Sequence, residues 1–262
     1  MSAISSLCPQ IPIVARLRAA GCVFAEDEAR LLAAAAATPD HLEAMVDRRV
    51  AGLPLEQILG WAEFCGLRIA VDPGVFVPRR RTEFLARQAA AVAHRRAVVL
   101  DLCCGSGAVG VALTAAGGDI ELHAVDVDPA AVRCARRNAA GARVYEGDLY
   151  DPLPRSLRGR VDVLVANAPY VPTGSIGMLP PEARVHEPML ALDGGTDGVD
   201  IQRKVAAGAT RWLAPDGHLL IETSERQAPL TVDAFARGGL TPRVARSEES
   251  GATVVIGTRR PG

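Results

Sequence analysis

The sequence predicts an α/β protein: a mostly parallel sheet with helices on both faces, preceded by a small helical region. Three observations carry that expectation. From residue 97 onward short apolar runs alternate with amphipathic stretches, the order in which strands feed crossover helices. The run Val-Asp-Val-Leu-Val-Ala at 161–166 stops abruptly at Asn167, Ala168, Pro169 and Tyr170. An apolar run with a polar end reads as a buried parallel strand whose carboxyl terminus overlooks a cleft. The first 60 residues lack such runs and place apolar side chains at helical spacing instead.

Composition narrows the function classes. At 262 residues and 49% hydrophobic, the chain suits one large domain, or a main domain with a small companion. A net charge of −1 offers no overall basic field for nucleic acid, although a local basic face stays open. The start lacks a basic and apolar leader, and no run approaches ~18 uninterrupted apolar residues, so a cytoplasmic location without a membrane span is expected. The cysteines at 8, 22, 65, 103, 104 and 134 form no CxxC pair. They read as reduced packing residues, with no metal site expected.

In chain order, Ile13, Val14 and Leu17 mark a first helix ending at Gly21. Residues 29–37 are a second, with Glu26, Asp27 and Glu28 suited to its first turn. Asp40 is the expected cap of a third, with Glu43 closing a capping box. That helix carries Leu42, Met45, Val46 and Val50 and stops near Gly52-Leu53-Pro54. The expected division is a helical domain at 1–60 that packs or docks a macromolecular substrate, a hairpin linker at 61–78 around Gly66 and Pro73-Gly74, and an α/β domain at 79–262. Arg79, Arg80 and Arg81 read as a solvated face or an anion contact. Thr82 suits the cap of the helix that follows. Strands are expected at 97–102, 120–125, 142–145, 161–166 and 218–222, and helices at 108–115, 129–139, 201–213 and 229–237. Extended runs at 240–245 and 253–258 flank Glu248-Glu249-Ser250-Gly251, a closing hairpin that adds an antiparallel strand.

The chemistry gathers at strand ends. The first strand of the alternating region runs into Asp101-Leu102-Cys103-Cys104-Gly105-Ser106-Gly107. Glycines at a strand-to-helix turn let a ligand approach the backbone, and the helix start offers free N–H groups. The next strand ends at Asp126, where an acid can accept both hydroxyls of a ribose. The third is followed by Gly147-Asp148-Leu149. These form a nucleoside pocket: Asp101 and the glycine loop hold one end, Asp126 takes the ribose, and Asp148 with Leu149 borders the base. Gly105, Gly107 and Gly110 also satisfy the dinucleotide fingerprint, so a nicotinamide dehydrogenase competes. The crowd of acids suits a cationic cofactor better than a pyrophosphate. Asn167, Ala168, Pro169 and Tyr170 make a stiff rim able to grip a planar group bearing an NH2.

In this ordered set the chain resembles the S-adenosylmethionine-dependent, Rossmann-like class I methyltransferases, and specifically the HemK/PrmC-type protein-(glutamine-N5) methyltransferases. Residues 49–60 and 71–79, then Thr82-Glu83, are similar to that family's joining segments. The glycine loop, Asp126 and the Asn167–Tyr170 rim follow in order, then Glu187-Pro188, Leu190-Ala191-Leu192-Asp193-Gly194-Gly195 and Asp197-Gly198. The resemblance implies that Cys103–Gly107, Asp126 and Leu149 line the S-adenosylmethionine site and that Asn167, Ala168, Pro169 and Tyr170 hold a target glutamine amide. It implies a protein substrate, the Gly-Gly-Gln loop of a peptide-chain release factor, with Asn167, Pro169 and Tyr170 as the catalytic set.

The chain departs from the family at three places. Asn-Ala-Pro-Tyr replaces Asn-Pro-Pro-Tyr, Cys103 replaces the first loop glycine, and Arg80-Arg81 replaces Pro-Glu. A non-glycine at 103 implies an unstrained, negative φ there. Two other readings use the same residues: methylation of an exocyclic amine of RNA or DNA, and a cofactor-binding module with little catalysis.

Overall fold

The computed structural model describes residues 10–117 and 119–260. Cys8, and the outer ends of the expected first and last regions, lie outside them. Four helices open the chain: α1 (Gln10–Ala19), α2 (Ala25–Ala35), α3 (Pro39–Val50) and α4 (Leu55–Leu59). They bury Leu17, Ala29, Leu32, Met45, Val46 and Ile58 against one another. The third helix is not capped as the sequence suggests. The His41 backbone N–H donates to Thr38 Oγ1, 3.1 Å, and Pro39 is the first helical residue. Proline prefers that position and drives the residue before it into the extended conformation a cap needs, so Asp40 lies two residues past the cap. Glu28 on α2 and Arg49 on α3 form a buried ion pair, Nε to Oε2 2.6 Å. The Arg49 guanidinium also donates to the Leu53 carbonyl, 2.9 Å, and reaches Glu182, 3.4 Å.

β1 (Trp61–Phe64) and β2 (Leu67–Ala70) form the expected hairpin. Its two turn residues, Cys65 and Gly66, both have positive φ, 51° and 73°, the turn whose twist matches the strands. A short 3-10 turn over Arg80–Thr82 leads into α5 (Glu83–Val92). Thr82 has helical dihedrals and makes no capping bond, because its side chain is buried and committed elsewhere.

Beyond α5 come β3 (Val98–Leu102), α6 (Ala108–Ala115), β4 (Glu121–Asp126), α7 (Pro129–Asn138), β5 (Arg143–Glu146), β6 (Val161–Ala166), α8 (Pro181–His186), α9 (Asp200–Ala209), β7 (Leu213–Thr223), α10 (Ala228–Arg237), β8 (Leu240–Ser247) and β9 (Ala252–Arg259). The sheet order is β5-β4-β3-β6-β7-β9-β8, parallel up to β7, with β9 inserted antiparallel between β7 and β8. The chain leaves β3 toward β4 and returns on its other side as β6, which makes the gap beside β3 a topological switch point. Alternate residues explain the unbroken apolar runs. Leu100, Leu102 and Leu164 pack under α9 and α10, while Val99, Val163 and Val165 pack under α5 and α6, so both faces of the central strands are buried.

The sequence extends the ninth helix to residue 213, but α9 stops at Ala209 and Leu213 begins β7. Leu213 pairs with Val161 and is fully buried; partnership with a strand overrides the local helical pattern. Among the described residues no helix is long and apolar enough to cross a membrane.

Arg49→Ala leaves the Glu28 carboxylate buried without its cation, and the expected loss is ~3–5 kcal/mol in urea unfolding. The double variant Glu28→Leu/Arg49→Met is expected to lose less than Arg49→Ala alone, since it removes both charges together. Equal losses would refute the account of that pair.

Candidate active site

The carboxyl ends of β3, β4 and β6 open onto a cavity of about 690 Å³. Asp101, near the end of β3, is buried, and one oxygen accepts the Gly110 backbone N–H, 3.1 Å. Burial pushes its pKa up to about 7, with the nearby Asp126 charge adding to the effect. Asp126, the last residue of β4, accepts from the Gly105 N–H with one oxygen, 2.8 Å, and from the Asp128 N–H with the other, 2.9 Å. Its pKa is also raised, by burial, although those backbone donors oppose the shift. The glycine loop is thus tied across to the neighbouring strand by a carboxylate. The Gly147 N–H donates to the Asp126 carbonyl, 3.0 Å, bringing Asp148 and Leu149 to the same mouth.

The loop carries strain that the sequence does not suggest. Cys103 has φ 55° and Leu149 φ 46°, left-handed values that cost a non-glycine residue ~1–2 kcal/mol. The expectation of an unstrained Cys103 is therefore wrong: the turn needs a left-handed residue at this point, and the thiol tolerates it. Burial and the charges of Asp126, Asp101 and Asp148 raise the Cys103 thiol pKa well above its usual range, so it stays protonated. Gly107 does not line the cavity. A Cβ there would stand 3.2 Å from that of Ala135, so this glycine serves the packing of α6 on α7.

Asp101, Cys103, Cys104, Gly105, Ser106, Asp126, Asp148 and Leu149 line one side of the cavity, and Asn167, Ala168, Pro169 and Tyr170 line the other. Of the residues expected to line the cofactor site and the rim, all except Gly107 meet here. The rim past β6 is held from outside. Gln227 Nε2 donates to the Tyr170 carbonyl, 2.8 Å, and to the Asp197 carbonyl, 3.0 Å. A Cβ on Gly194 would sit 2.7 Å from the Pro169 carbonyl oxygen, and one on Gly198 would sit 2.4 Å from that of Tyr170. The 190–198 motif is therefore glycine-rich because it runs against the back of the rim. Asn167 Nδ2 donates to Thr82 Oγ1, 3.4 Å, and the Tyr170 hydroxyl donates to Glu222 Oε1, 3.4 Å. The Ala168 carbonyl, on a buried residue, accepts no backbone donor among the described residues.

Charge separates the two sides. Arg79 reaches Glu187, 2.5 Å, and Arg81 reaches Glu222, 3.2 Å, so each arginine lining the cavity has its own carboxylate. Among the described residues Asp101, Asp126 and Asp148 have no cationic partner within 4.0 Å. Arg79 and Arg81 are thus each matched by a carboxylate rather than left free as an anion clamp, and Arg80 does not line the cavity. The donor set fits S-adenosylmethionine: each Asp126 oxygen keeps a free lone pair for a hydroxyl, and the uncompensated acids favour a sulfonium and an ammonium. A pyrophosphate would meet three carboxylates.

Comparison with known proteins agrees. The methyltransferase small domain family matches residues 66–177. A release factor glutamine methyltransferase from Geobacter sulfurreducens is 39% identical over 228 residues, 84% of this chain and 79% of the relative. The chain belongs to the release factor glutamine methyltransferase family. A second member, from Mycolicibacterium smegmatis, is 39% identical over 86% of this chain and 82% of its own. A 4-amino-L-phenylalanine/4-methylamino-L-phenylalanine methyltransferase from Streptomyces pristinaespiralis is 40% identical over 70% of this chain and 65% of its own. The fold agrees with a methyltransferase from Pyrococcus furiosus at a TM-score of 0.59 and 16% identity, covering 82% of this chain and all of that one. A ribosomal protein methylase from Lactobacillus delbrueckii gives 0.54 at 18% identity, over 74% and 86% of the two chains.

The protein is thus an S-adenosylmethionine-dependent methyltransferase, and the nicotinamide reading falls. Reading the sequence missed Glu222, Gln227 and the contact of Thr82 with the rim. For Glu222 a signal exists: it is an acid ending the apolar run His-Leu-Leu-Ile, as Asp126 ends β4. Affinity for S-adenosylmethionine should rise between pH 6 and 8. Asp101 titrates near 7, a bound cation favours its ionised form, and binding below that pH must release a proton, costing up to ~10-fold per pH unit. Calorimetry in two buffers of different ionisation heat measures this; a flat affinity with no proton release would refute it. Asp126→Ala should weaken the same binding, and an unaltered Kd would contradict ribose recognition.

Proposed function

We propose that the chain methylates the side-chain amide nitrogen of a glutamine in a protein substrate, the Gly-Gly-Gln glutamine of a peptide-chain release factor. What supports this reading is the rim itself: Asn167 and Ala168 line the cavity in succession, the Asn167 Nδ2 is engaged by Thr82, and the Ala168 carbonyl accepts no backbone donor among the described residues, which leaves two acceptors for an amide. Family membership supplies the substrate class.

An amide nitrogen is a poor nucleophile because its lone pair is shared with the carbonyl. Two acceptors that hold its two N–H bonds fix the plane of the amide and aim the lone pair along one direction. S-adenosylmethionine supplies an electrophilic methyl group on a sulfonium. Asn167 and Ala168 then orient the acceptor, Pro169 stiffens the rim by its locked φ, and the Tyr170 ring walls off water. Asp126 and the 103–106 loop hold the nucleoside, and Asp101 and Asp148 supply the negative field that the donor's charge needs. We assign residues 1–60 as the domain that docks the protein substrate, 61–78 as the hairpin linker, and 79–262 as the methyltransferase domain.

A planar aromatic amine offers the same two N–H bonds, and the relative from Streptomyces pristinaespiralis is named for such a substrate. The test therefore runs three acceptors with labelled S-adenosylmethionine: a release factor, free 4-amino-L-phenylalanine and total RNA. Label mapped by mass spectrometry to the Gly-Gly-Gln glutamine is expected. Label only on the free amine, or only in nuclease-sensitive material, overturns the assignment. Asn167→Ala is expected to lower turnover by ~10²-fold, the effect of losing one positioned polar group. Unchanged turnover would remove Asn167 from the mechanism.

A further inference from the structure

Behind the rim, outside the cavity lining, lies a buried acid that the mechanism above does not use. Glu222, at the end of β7, is 2% exposed. Its Oε1 accepts from the Tyr170 hydroxyl, 3.4 Å, and meets Arg81 Nε, 3.2 Å; its Oε2 has no hydrogen-bond partner. The Thr82 hydroxyl, itself buried and next in the chain to Arg81, favours the charged form of the same carboxylate. Thr82 Oγ1 in turn receives Asn167 Nδ2, 3.4 Å.

These contacts fix a polarity. A carboxamide fits its slot equally well with oxygen and nitrogen exchanged, and only its partners decide between the two. A threonine hydroxyl has one proton. An ionised Glu222 can only accept, so it draws that proton toward itself and leaves the Thr82 lone pairs facing Asn167. Asn167 must then turn its NH2 toward Thr82 and its oxygen toward the cavity. With no acceptor-only group at 222, the hydroxyl can rotate and donate to Asn167. The carboxamide flips, and an NH2 faces the N–H of the substrate, donor against donor.

We propose that Glu222 is a positioning residue that acts through Thr82 to present the Asn167 side-chain oxygen, rather than its nitrogen, to the acceptor amide. This rests on the reading of Asn167 as an acceptor. The same carboxylate anchors the hydroxyl of Tyr170, so one buried charge orients both polar side chains of the rim. Burial raises the Glu222 pKa, while Thr82, Arg81 and Tyr170 each pull it back. Arg81 also stands over the Tyr170 ring, 5.5 Å to its centroid, and holds the acid's charge in place.

The chain offers a probe of the flip that is independent of any substrate. It contains two asparagines, Asn138 and Asn167, so protein labelled with nitrogen-15 asparagine gives two side-chain NH2 pairs by NMR. Asn167→Asp removes one pair and assigns it. Asn138 is held by the Ala70 and Ser106 carbonyls, 2.8 and 2.9 Å, away from Glu222, and serves as the internal control. In the isosteric Glu222→Gln and Thr82→Val variants the Asn167 pair is expected to move and to exchange its protons faster, while the Asn138 pair stays. Thr82→Ser, which keeps both the hydroxyl and the carboxylate, is expected to preserve the wild-type signal. In turnover, Glu222→Gln should lower kcat by at least ~10-fold, the order of one lost positioned group, with KM for S-adenosylmethionine unchanged. An Asn167 pair that superimposes on wild type in Glu222→Gln overturns the proposal, as does an equal shift of both pairs. Failure of the wild type to methylate any glutamine would sink the glutamine assignment alone, because the NMR arm needs no substrate.

Discussion

Two backbone N–H groups converge on one carboxylate, that of Asp126, and much of the site follows from this. Gly105 lies in the loop after β3, and Asp128 lies beyond the end of β4. By accepting from both, Asp126 sews the switch-point loop to the neighbouring strand. A carboxylate buried with only backbone dipoles for company is incompletely compensated. The wall it forms with Asp101 therefore favours a positively charged guest. Structural anchoring and cofactor preference are here two results of one arrangement.

The opposite wall is built on the reverse principle. Arg79 and Arg81 border the cavity, yet Glu187 and Glu222 match them. Glu187 also accepts the Val77 N–H, 3.2 Å, which ties the segment after the hairpin to the chain beyond α8. Neutral on balance, this side suits an uncharged acceptor. An amide or an amine can enter without meeting a net field, while the charged donor is drawn to the aspartate side. The cavity thus sorts its two occupants by charge before any specific contact is made.

Close backbone approach supports both walls. Gly194 and Gly198 run against Pro169 and Tyr170 at distances no side chain could share, and Gln227 bridges the two strands of chain from behind. The rim keeps its shape although Ala168 stands where the family places a proline. Pro169 restricts Ala168 from one side, and burial restricts it from the other. Left-handed Cys103 and Leu149 show where the loop gives up local comfort for its position on the edge, a cost borne where the ligand lies.

Local pattern by itself determined the strands and, apart from α8, the helices of the α/β region, the hairpin at Gly66, the closing hairpin and nearly every residue of the aspartate side. Each of these is written in a few consecutive residues: an apolar run, a glycine turn, an acid at a strand end. Boundaries were less legible. Asp40 looked like a cap until Pro39 placed Thr38 there, and the pattern at 201–213 concealed that Leu213 pairs with Val161. Only the folded chain decided how Asn167 is held. Its partner Thr82 is 85 residues away in sequence, and Glu222 is 52 residues from Tyr170. Such polar contacts depend on which strands lie side by side, and burial of both sheet faces settles that order for the chain as a whole.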